Sequence, residues 1–337
     1  MAACITSTDV FQLIKECCSS FPETYKLAST VADTILVLAG ESELYRPRNE
    51  LGNAGALLDF SQAEEMPLIV VPDLHGRYDF LENLLRFVLP SGAAVVDLLL
   101  EKKVRVVCLG DGMHAESRAR ERWVRAYFKY IEGEIDSKEM RAEMKENLAT
   151  MMCVMSLKQL FPENFHFLKG NHENIMNRMG DGDYPFCKFA EESTMTHDFM
   201  IKEYGETIVS AMGELEDSLP LAAVFPNCVL SHAEPARSFS RDELINARLI
   251  EGVVGGLTWT ANGDAEEGSV EGTVRNLLGR ADAAYIGGHR VVNGQFALRQ
   301  GGTYIQIHNP NCQNVAVVMP KCAFNPESDI FSVEETS

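Results

Sequence analysis

Five short apolar runs in this chain each lead into a polar residue of metal-ligand type. Leu68 to Val71 is followed by Pro72, Asp73, Leu74 and His75, an Asp-x-His step closed by Gly76. Val104 to Leu109 leads into Gly110 and Asp111, and Phe165 to Leu168 leads through Lys169 into Gly170, Asn171, His172 and Glu173. Cys228 to Leu230 leads into Ser231 and His232, and Ala284 to Ile286 into Gly287, Gly288 and His289. Strand termini on one edge of a parallel sheet converge in space, so these groups can meet although they are far apart in sequence. Asp, Asn and His offer oxygen and imidazole nitrogen ligands suited to Mn, Fe, Zn or related ions, and one carboxylate such as Asp111 can bridge two of them. Two ions ~3.5 to 4 Å apart generate a hydroxide at neutral pH and neutralise the oxygens of a phosphoryl group during in-line displacement. The neighbouring glycines permit tight turns and close backbone approach. Taken singly, each step reads as an ordinary loop, helix cap or core histidine. The ordered series, each member after an apolar run, carries the metal reading.

The elements that must position these residues alternate between short β-rich runs and longer helical stretches, the pattern of a layered α/β protein. Besides the five runs, Gln295 to Leu298, Tyr304 to Ile307 and Val315 to Met319 are expected as strands. Glu116 to Leu160, rich in Ala, Glu, Arg, Lys and Met and free of Pro, reads as two helices with a turn near Gly133. Met140, Met144, Met151 and Met155 fit a packed helix face, and Arg118, Arg122 and Arg125 a solvated one paired with nearby Glu. Ser7 to Leu38 reads as helical with a break at Pro22, while Gly40 to Met66, holding Pro47, Gly52 and Gly55, reads as a long surface loop. The stretch after Pro326 is acidic and expected to fray. The expected organisation is a helical extension and loop over residues 1–65, a catalytic body over 66–325 and a tail over 326–337.

Composition bounds the partners. Among 337 residues, 30 Lys+Arg against 49 Asp+Glu gives 30 − 49 = −19, and 46% of residues are apolar, which excludes a disordered chain. A field of this sign repels long nucleic acid and anionic membrane, so phosphate chemistry needs cations supplied locally. No window reaches the ~18 apolar residues of a spanning helix, and no basic stretch followed by a long apolar run opens the chain. Nine Cys, at 4, 17, 18, 108, 153, 187, 228, 312 and 322, form no C-x-x-C pair and read as core thiols in a reducing compartment. A soluble, cytoplasmic protein is expected.

The series Asp73-Leu-His75-Gly, Gly110-Asp111, Gly170-Asn171-His172-Glu173, His232 and Gly288-His289 resembles the calcineurin-like metallophosphoesterases, most nearly their phosphoprotein phosphatase (serine/threonine phosphatase) branch, over roughly residues 66 to 320. Asn177-Arg178, Thr258-Trp259-Thr260 and the closing Gly288-His289-Arg-Val-Val-Asn-Gly294 are similar to segments of that branch. The resemblance implies a four-layer α/β/β/α sandwich with two mixed β-sheets and a dinuclear metal site at strand ends. It implies that Asp73 and His75 hold the first ion, that Asp111 bridges, and that Asn171, His232 and His289 hold the second. It also implies that His172 protonates the leaving alkoxide as general acid. The implied activity is hydrolysis of a phosphomonoester in a phosphorylated substrate.

Two residues depart from the branch. Where its members follow Gly-Asp with x-x-Asp-Arg-Gly, this chain has Gly110-Asp111-Gly-Met-His114-Ala115-Glu116, so the supporting Asp is His114 and the phosphate-gripping Arg is Ala115. His114 then joins His172 as a catalytic candidate, with the acid less basic or the two imidazoles sharing one proton. Arg77, Arg237 and Arg290 are the candidates to replace the missing grip. Gly-Asp-x-x-His is similar to the version in repair nucleases and some phosphodiesterases, which keeps a phosphodiesterase or dinucleoside polyphosphate hydrolase open. A catalytically weak phosphate-binding or scaffold protein is the alternative of another class.

Overall fold

The computed structural model describes residues 5–64, 66–180 and 182–334. Cys4 and the end of the expected acidic tail lie outside them. The described chain forms strands β1 Leu57–Asp59, β2 Leu68–Val71, β3 Arg105–Cys108, β4 Phe165–Phe167, β5 Ala222–Phe225, β6 Cys228–Ser231, β7 Ala284–Gly287, β8 Ala297–Arg299, β9 Tyr304–Gln306, β10 Asn314–Val318 and β11 Ile330–Ser332. They make two mixed sheets, ordered β1-β5-β6-β7-β9-β8 and β11-β10-β2-β3-β4.

Strand β2 shows why the layers form. All four of its residues are apolar and buried, the signature of a strand covered on both faces. Leu68 and Val70 point into the core between the sheets, with Val107, Leu230, Ile286 and Ile305. Ile69 and Val71 point the other way, into the core shared with Phe80, Leu148 and Phe199 of the helices outside. The second sheet is covered in turn by Arg241–Ile245, Val253–Thr258 and Ser269–Leu278. The result is the expected α/β/β/α sandwich.

The long helix Lys138–Leu160 is central to the outer layer. Ser137 caps it by accepting from the Met140 N–H at 3.3 Å, and Met140, Met144, Met151 and Met155 are all buried in the packed core. Helices Ser7–Ser19 and Thr24–Ala39 lay Val10, Ile14, Leu27 and Val31 into the same core, the first opened by a capping box between Thr6 and Asp9.

Two sequence expectations change. Residues 40–66, read as a surface loop, carry β1 on the sheet edge, parallel to β5, and bury Glu41 and Arg46. The segment after Pro326, expected to fray, returns as β11 and pairs antiparallel with β10. Both strands are only three residues long, too short to show a period in sequence.

Candidate metal centre

Strands β2, β3 and β4 run parallel in one sheet, and β6, β7 and β9 run parallel in the other. The residues following their C-terminal ends meet between the two sheets. Six of the chain's 8 histidines gather there: His75, His114, His172, His232, His289 and His308.

Asp111 lies at the middle. Its Oδ2 is 3.5 Å from His75 Nε2 and 3.5 Å from His232 Nε2, and its Oδ1 accepts from the His172 N–H at 2.9 Å. The His75 Nδ1–H donates to the His114 carbonyl at 2.8 Å, so the lone pair on Nε2 faces the carboxylates. His232 donates from Nδ1 to the Leu109 carbonyl at 2.9 Å, leaving its Nε2 bare. That nitrogen stands 2.9 Å from Asn171 Oδ1, which is also 2.9 Å from His289 Nδ1. His232 Nε2 and Asn171 Oδ1 are both acceptors, and two acceptors approach this closely when a cation is to lie between them.

The electrostatics carry the same signature. Burial, then the carboxylates of Asp73 and Glu173, pushes Asp111 well above the usual carboxylate range. Bound cations reverse that balance. Asp73, His75 and His308 on one side, and Asp73, Asp111 and His232 on the other, bring ligand atoms close enough to hold an ion. These residue types fit the dinuclear group.

The backbone is bent to make this possible. His75, Asp111, His114 and His289 have φ of 47°, 50°, 71° and 63°, a left-handed conformation that costs ~1 kcal/mol or more each and persists where the surroundings over-determine it. Glu173 supplies much of that constraint, accepting from the N–H groups of Gly170, Asp111 and Gly112 at 2.7, 2.9 and 2.8 Å. From the long helix, Asn147 accepts from the His114 N–H at 3.0 Å and Glu143 from the Ala115 N–H at 2.7 Å. Glycine is required where loops touch: a Cβ on Gly170 would meet Asp111 Oδ1 at 2.2 Å, and one on Gly288 would meet Asp73 Oδ1 at 1.9 Å.

His172 projects beside the cluster, its Nε2 3.8 Å from Asp111 Oδ2. Its ring packs against those of His114 and Phe186, with centroids at 4.7 and 4.3 Å, and those two rings touch each other at 4.9 Å. Burial, with His114 and His75 adding to it, lowers the His172 pKa well below the ordinary imidazole range. Beyond His114 stands Glu192, its Oε1 3.6 Å from His114 Nε2. A carboxylate is therefore present one imidazole further from His172 than the expected pattern would place it.

The three arginines differ in where they point. Arg77, expected at a phosphate, donates instead to the backbone carbonyls of Asp73, Leu74, Asn309 and Cys312 and braces the loop after β2. Arg237 turns to Glu243 at 2.8 Å and lies over Phe239. Arg290 is exposed, and its charge lies near enough to His232 and His289 to push both downward after the larger effect of burial on each. Arg118 and Arg122 pair with Glu146 and Glu143, and Arg125 with Glu121.

Sequence reasoning missed four participants. Lys188 pairs with Glu116 at 3.3 Å, and the other oxygen of Glu116 is 2.8 Å from His308 Nε2. Glu192 opens the helix Glu192–Tyr204, which the sequence reading did not identify. For Glu192, Lys188 and Glu116 no local pattern marks the role. His308 did have a signal: it follows the apolar run Tyr304 to Ile307, as His232 follows its own.

A two-sheet sandwich with a buried carboxylate and imidazole cluster at strand ends is the architecture of a metal-dependent phosphoester hydrolase. Residues 66–249 match the family of calcineurin-like phosphoesterases, and the chain belongs to that family. His289 and His308 lie beyond the matched segment. Among solved structures, a protein serine/threonine phosphatase from Saccharomyces cerevisiae with similarity to human phosphatase PP5 is similar at TM-score 0.61 and 16% identity, over 97% of this chain and 95% of that one. A cold-active protein-tyrosine phosphatase of a Shewanella species is similar at TM-score 0.44 and 12% identity, over 87% and 85% of the two chains. A putative diadenosine tetraphosphatase is similar at 0.43 and 15%, over 82% and 97%. The protein is a metallophosphoesterase, a hydrolase of phosphatase type. No helix among the described residues is long and apolar enough to cross a membrane.

Proposed function

We propose that the protein hydrolyses phosphomonoesters, in the manner of a serine/threonine phosphatase, with Asp73, His75 and Asp111 holding one ion and Asp111, Asn171, His232 and His289 the other. The observation that carries this reading is the approach of His232 Nε2 and Asn171 Oδ1, two acceptors 2.9 Å apart beside Asp111. When bound, two such ions act as Lewis acids on the phosphoryl oxygens and make water a nucleophile at neutral pH. Mn, Fe and Zn suit an imidazole-rich set, which disfavours Mg.

The chain's own residues do the rest. His172 supplies the proton that the leaving oxygen takes, a bound phosphoryl dianion favouring its charged form against the burial that lowers its pKa, and Phe186 against its ring keeps bulk water from that face. Arg290 next to His289, and Lys188 paired with Glu116, are the cations offered to a dianionic phosphoryl group. Those two cations favour the monoester. One observation favours a diester instead: the Glu116 carboxylate lies 3.7 Å from His75 Nε2, next to Ala115, where an arginine would have met a second phosphate charge. The nine cysteines, an odd count with no C-x-x-C pair, support a reducing, cytoplasmic setting.

The test is metal content of the purified protein, followed on the same sample by hydrolysis of a matched aryl monoester and diester after Mn addition. Two ions per chain with monoester turnover is the expected result. Diester preference would transfer the reading to the second substrate. Bound metal with no turnover on either would leave a phosphate-binding protein.

A further inference from the structure

We infer that His308 is an additional ligand of the first ion, bonding it through Nδ1, and that Glu116 is the positioning residue that turns this nitrogen toward it. The inference rests on the dinuclear reading above.

The strand register puts His308 in place. β7 and β9 are parallel neighbours with Gly287 opposite Gln306. His289 and His308 each stand two residues past those partners, so the two imidazoles leave the sheet edge side by side. His308 is fully buried. Its Nδ1 has no hydrogen-bond partner, and an unpaired nitrogen in such a place is costly unless something binds it. The nearest carboxylate oxygen to that nitrogen is Asp73 Oδ2, at 3.8 Å.

The tautomer follows from the other nitrogen. His308 Nε2 lies 2.8 Å from Glu116 Oε2, and a carboxylate there accepts, so the proton sits on Nε2 and the lone pair on Nδ1. A carboxylate, an imidazole and a metal in line is the usual way a protein fixes a histidine ligand. Both Glu116 oxygens are engaged, Oε2 by His308 and Oε1 by Lys188, so Glu116 orients the ligand and leaves the ion to the imidazole.

The spacing fits one ion. Asp73 Oδ2 is 3.9 Å from His75 Nε2, and His75 Nε2 is 3.5 Å from Asp111 Oδ2. Ligand atoms each about 2.1 Å from a common ion stand roughly 3 to 3.5 Å apart, so a small inward movement closes the set. The resemblance supplies only Asp73, His75 and Asp111 for this ion. A further neutral imidazole fills a position that water would take, tightens binding, and favours Zn, Fe or Mn over Mg.

The experiment measures metal binding rather than turnover. Wild type, His308→Gln, Glu116→Gln and Asn171→Ala are stripped of metal, checked for equal folding by thermal unfolding, and titrated with Zn in competition with a chromophoric chelator. We expect two ions on the wild type. His308→Gln should weaken one ion and Glu116→Gln the same ion, each by ~10 to 100-fold, with Asn171→Ala weakening the other. Unchanged affinity for both ions in His308→Gln overturns the inference and leaves the phosphoester reading standing. A wild type that binds no ion overturns both. Should the variants fail to fold, cadmium-113 loaded wild type decides by cadmium–nitrogen coupling: His75, His308, His232 and His289 should all couple, and absence of His308 from that set overturns the proposal.

Discussion

His172 and His114 lie as near-parallel plates, ring centroids 4.7 Å apart and planes 15° from each other. A carboxylate in the place of His114 would bond the imidazole of His172 in its plane. A stacked ring touches its face and can neither orient its N–H nor stabilise its charge in that way. His172 Nδ1 correspondingly has no hydrogen-bond partner. The carboxylate of Glu192 stands at His114 and not at His172, its Oε1 3.6 Å from His114 Nε2.

This geometry makes His172 matter most where the leaving group is poor. His172→Asn should lower kcat on alkyl phosphates by ~10² to 10⁴-fold, the range of a lost general acid. On p-nitrophenyl phosphate, whose leaving oxygen needs no proton, the loss should be much smaller. Steady-state kinetics across aryl and alkyl leaving groups checks it. Equal losses on both substrates would show that His172 serves binding or structure rather than proton transfer.

For His114→Asp, the Nδ1 of His172 would gain a carboxylate partner from the loop after β3. Turnover of alkyl monoesters should rise by about 10-fold, equivalent to ~1.4 kcal/mol in the barrier. Glu192 would then face a second acid across the space of a lost ring, so a modest fall in melting temperature should accompany the gain. Lower activity on monoesters together with unchanged folding would instead mean that the stacked pair is the working form of this site.

Much of the site was legible because its residues obey one local rule: an apolar run buried on both sheet faces, then a small residue, then a ligand type. Asp73, Asp111, Asn171, His232 and His289 all follow it, whereas His308 comes after Tyr304–Gln306 with Ile307, a large residue, in the place of the small one. Glu192 does not, since it begins a helix and reaches His114 only through tertiary folding. The same limit applied to the fold. β5, Ala222–Phe225, has two alanines of weak strand preference and is held by pairing with β1 and β6. Residues 40–66 looked like a surface loop because they hold Pro47, Gly52 and Gly55, yet Glu41 and Arg46 among them are buried. Glu41 bonds Arg46, Lys158 and, at 3.3 Å, His166. Three buried cationic or imidazole partners around one carboxylate are invisible to a rule that puts charge outside.

Gly288 is the most constrained backbone position near the cluster. The His289 N–H donates to Asp73 Oδ2 at 2.9 Å, and a methyl on Gly288 would overlap Oδ1 of the same carboxylate. Gly288→Ala must therefore push Asp73 aside or open the loop. Stability should fall by about 1 to 3 kcal/mol, as for overpacked sites, and metal affinity should drop at least ~10-fold with it, as for a disturbed ligand shell. Thermal unfolding and metal titration read the two effects separately. Unchanged metal affinity would mean that Asp73 tolerates the displacement and is not a ligand.

Glu216 offers a pH test away from the cluster. Its carboxyl group is buried on the helix Glu206–Ser218 and accepts from the Ile175 N–H at 2.8 Å. Burial pushes its pKa from 4.5 up to about 8, with Lys169 pulling partly the other way. A raised folded-state pKa means that the native protein binds this proton more tightly than the unfolded chain does. The stabilisation is complete below about 4.5 and is lost as pH rises through about 8. Glu216→Gln keeps an oxygen for Ile175 and cannot titrate, so the variant should gain on the wild type across that window. The expected difference at pH 8 relative to pH 5 is ~2 kcal/mol, allowing for relaxation of a full shift at 1.36 kcal/mol per unit. Denaturant unfolding of both proteins at a series of pH values gives the difference directly, since every other titrating group is common to the pair. Parallel stability curves would show that Glu216 is ionised in the folded protein at neutral pH, and that Lys169 offsets its burial in full.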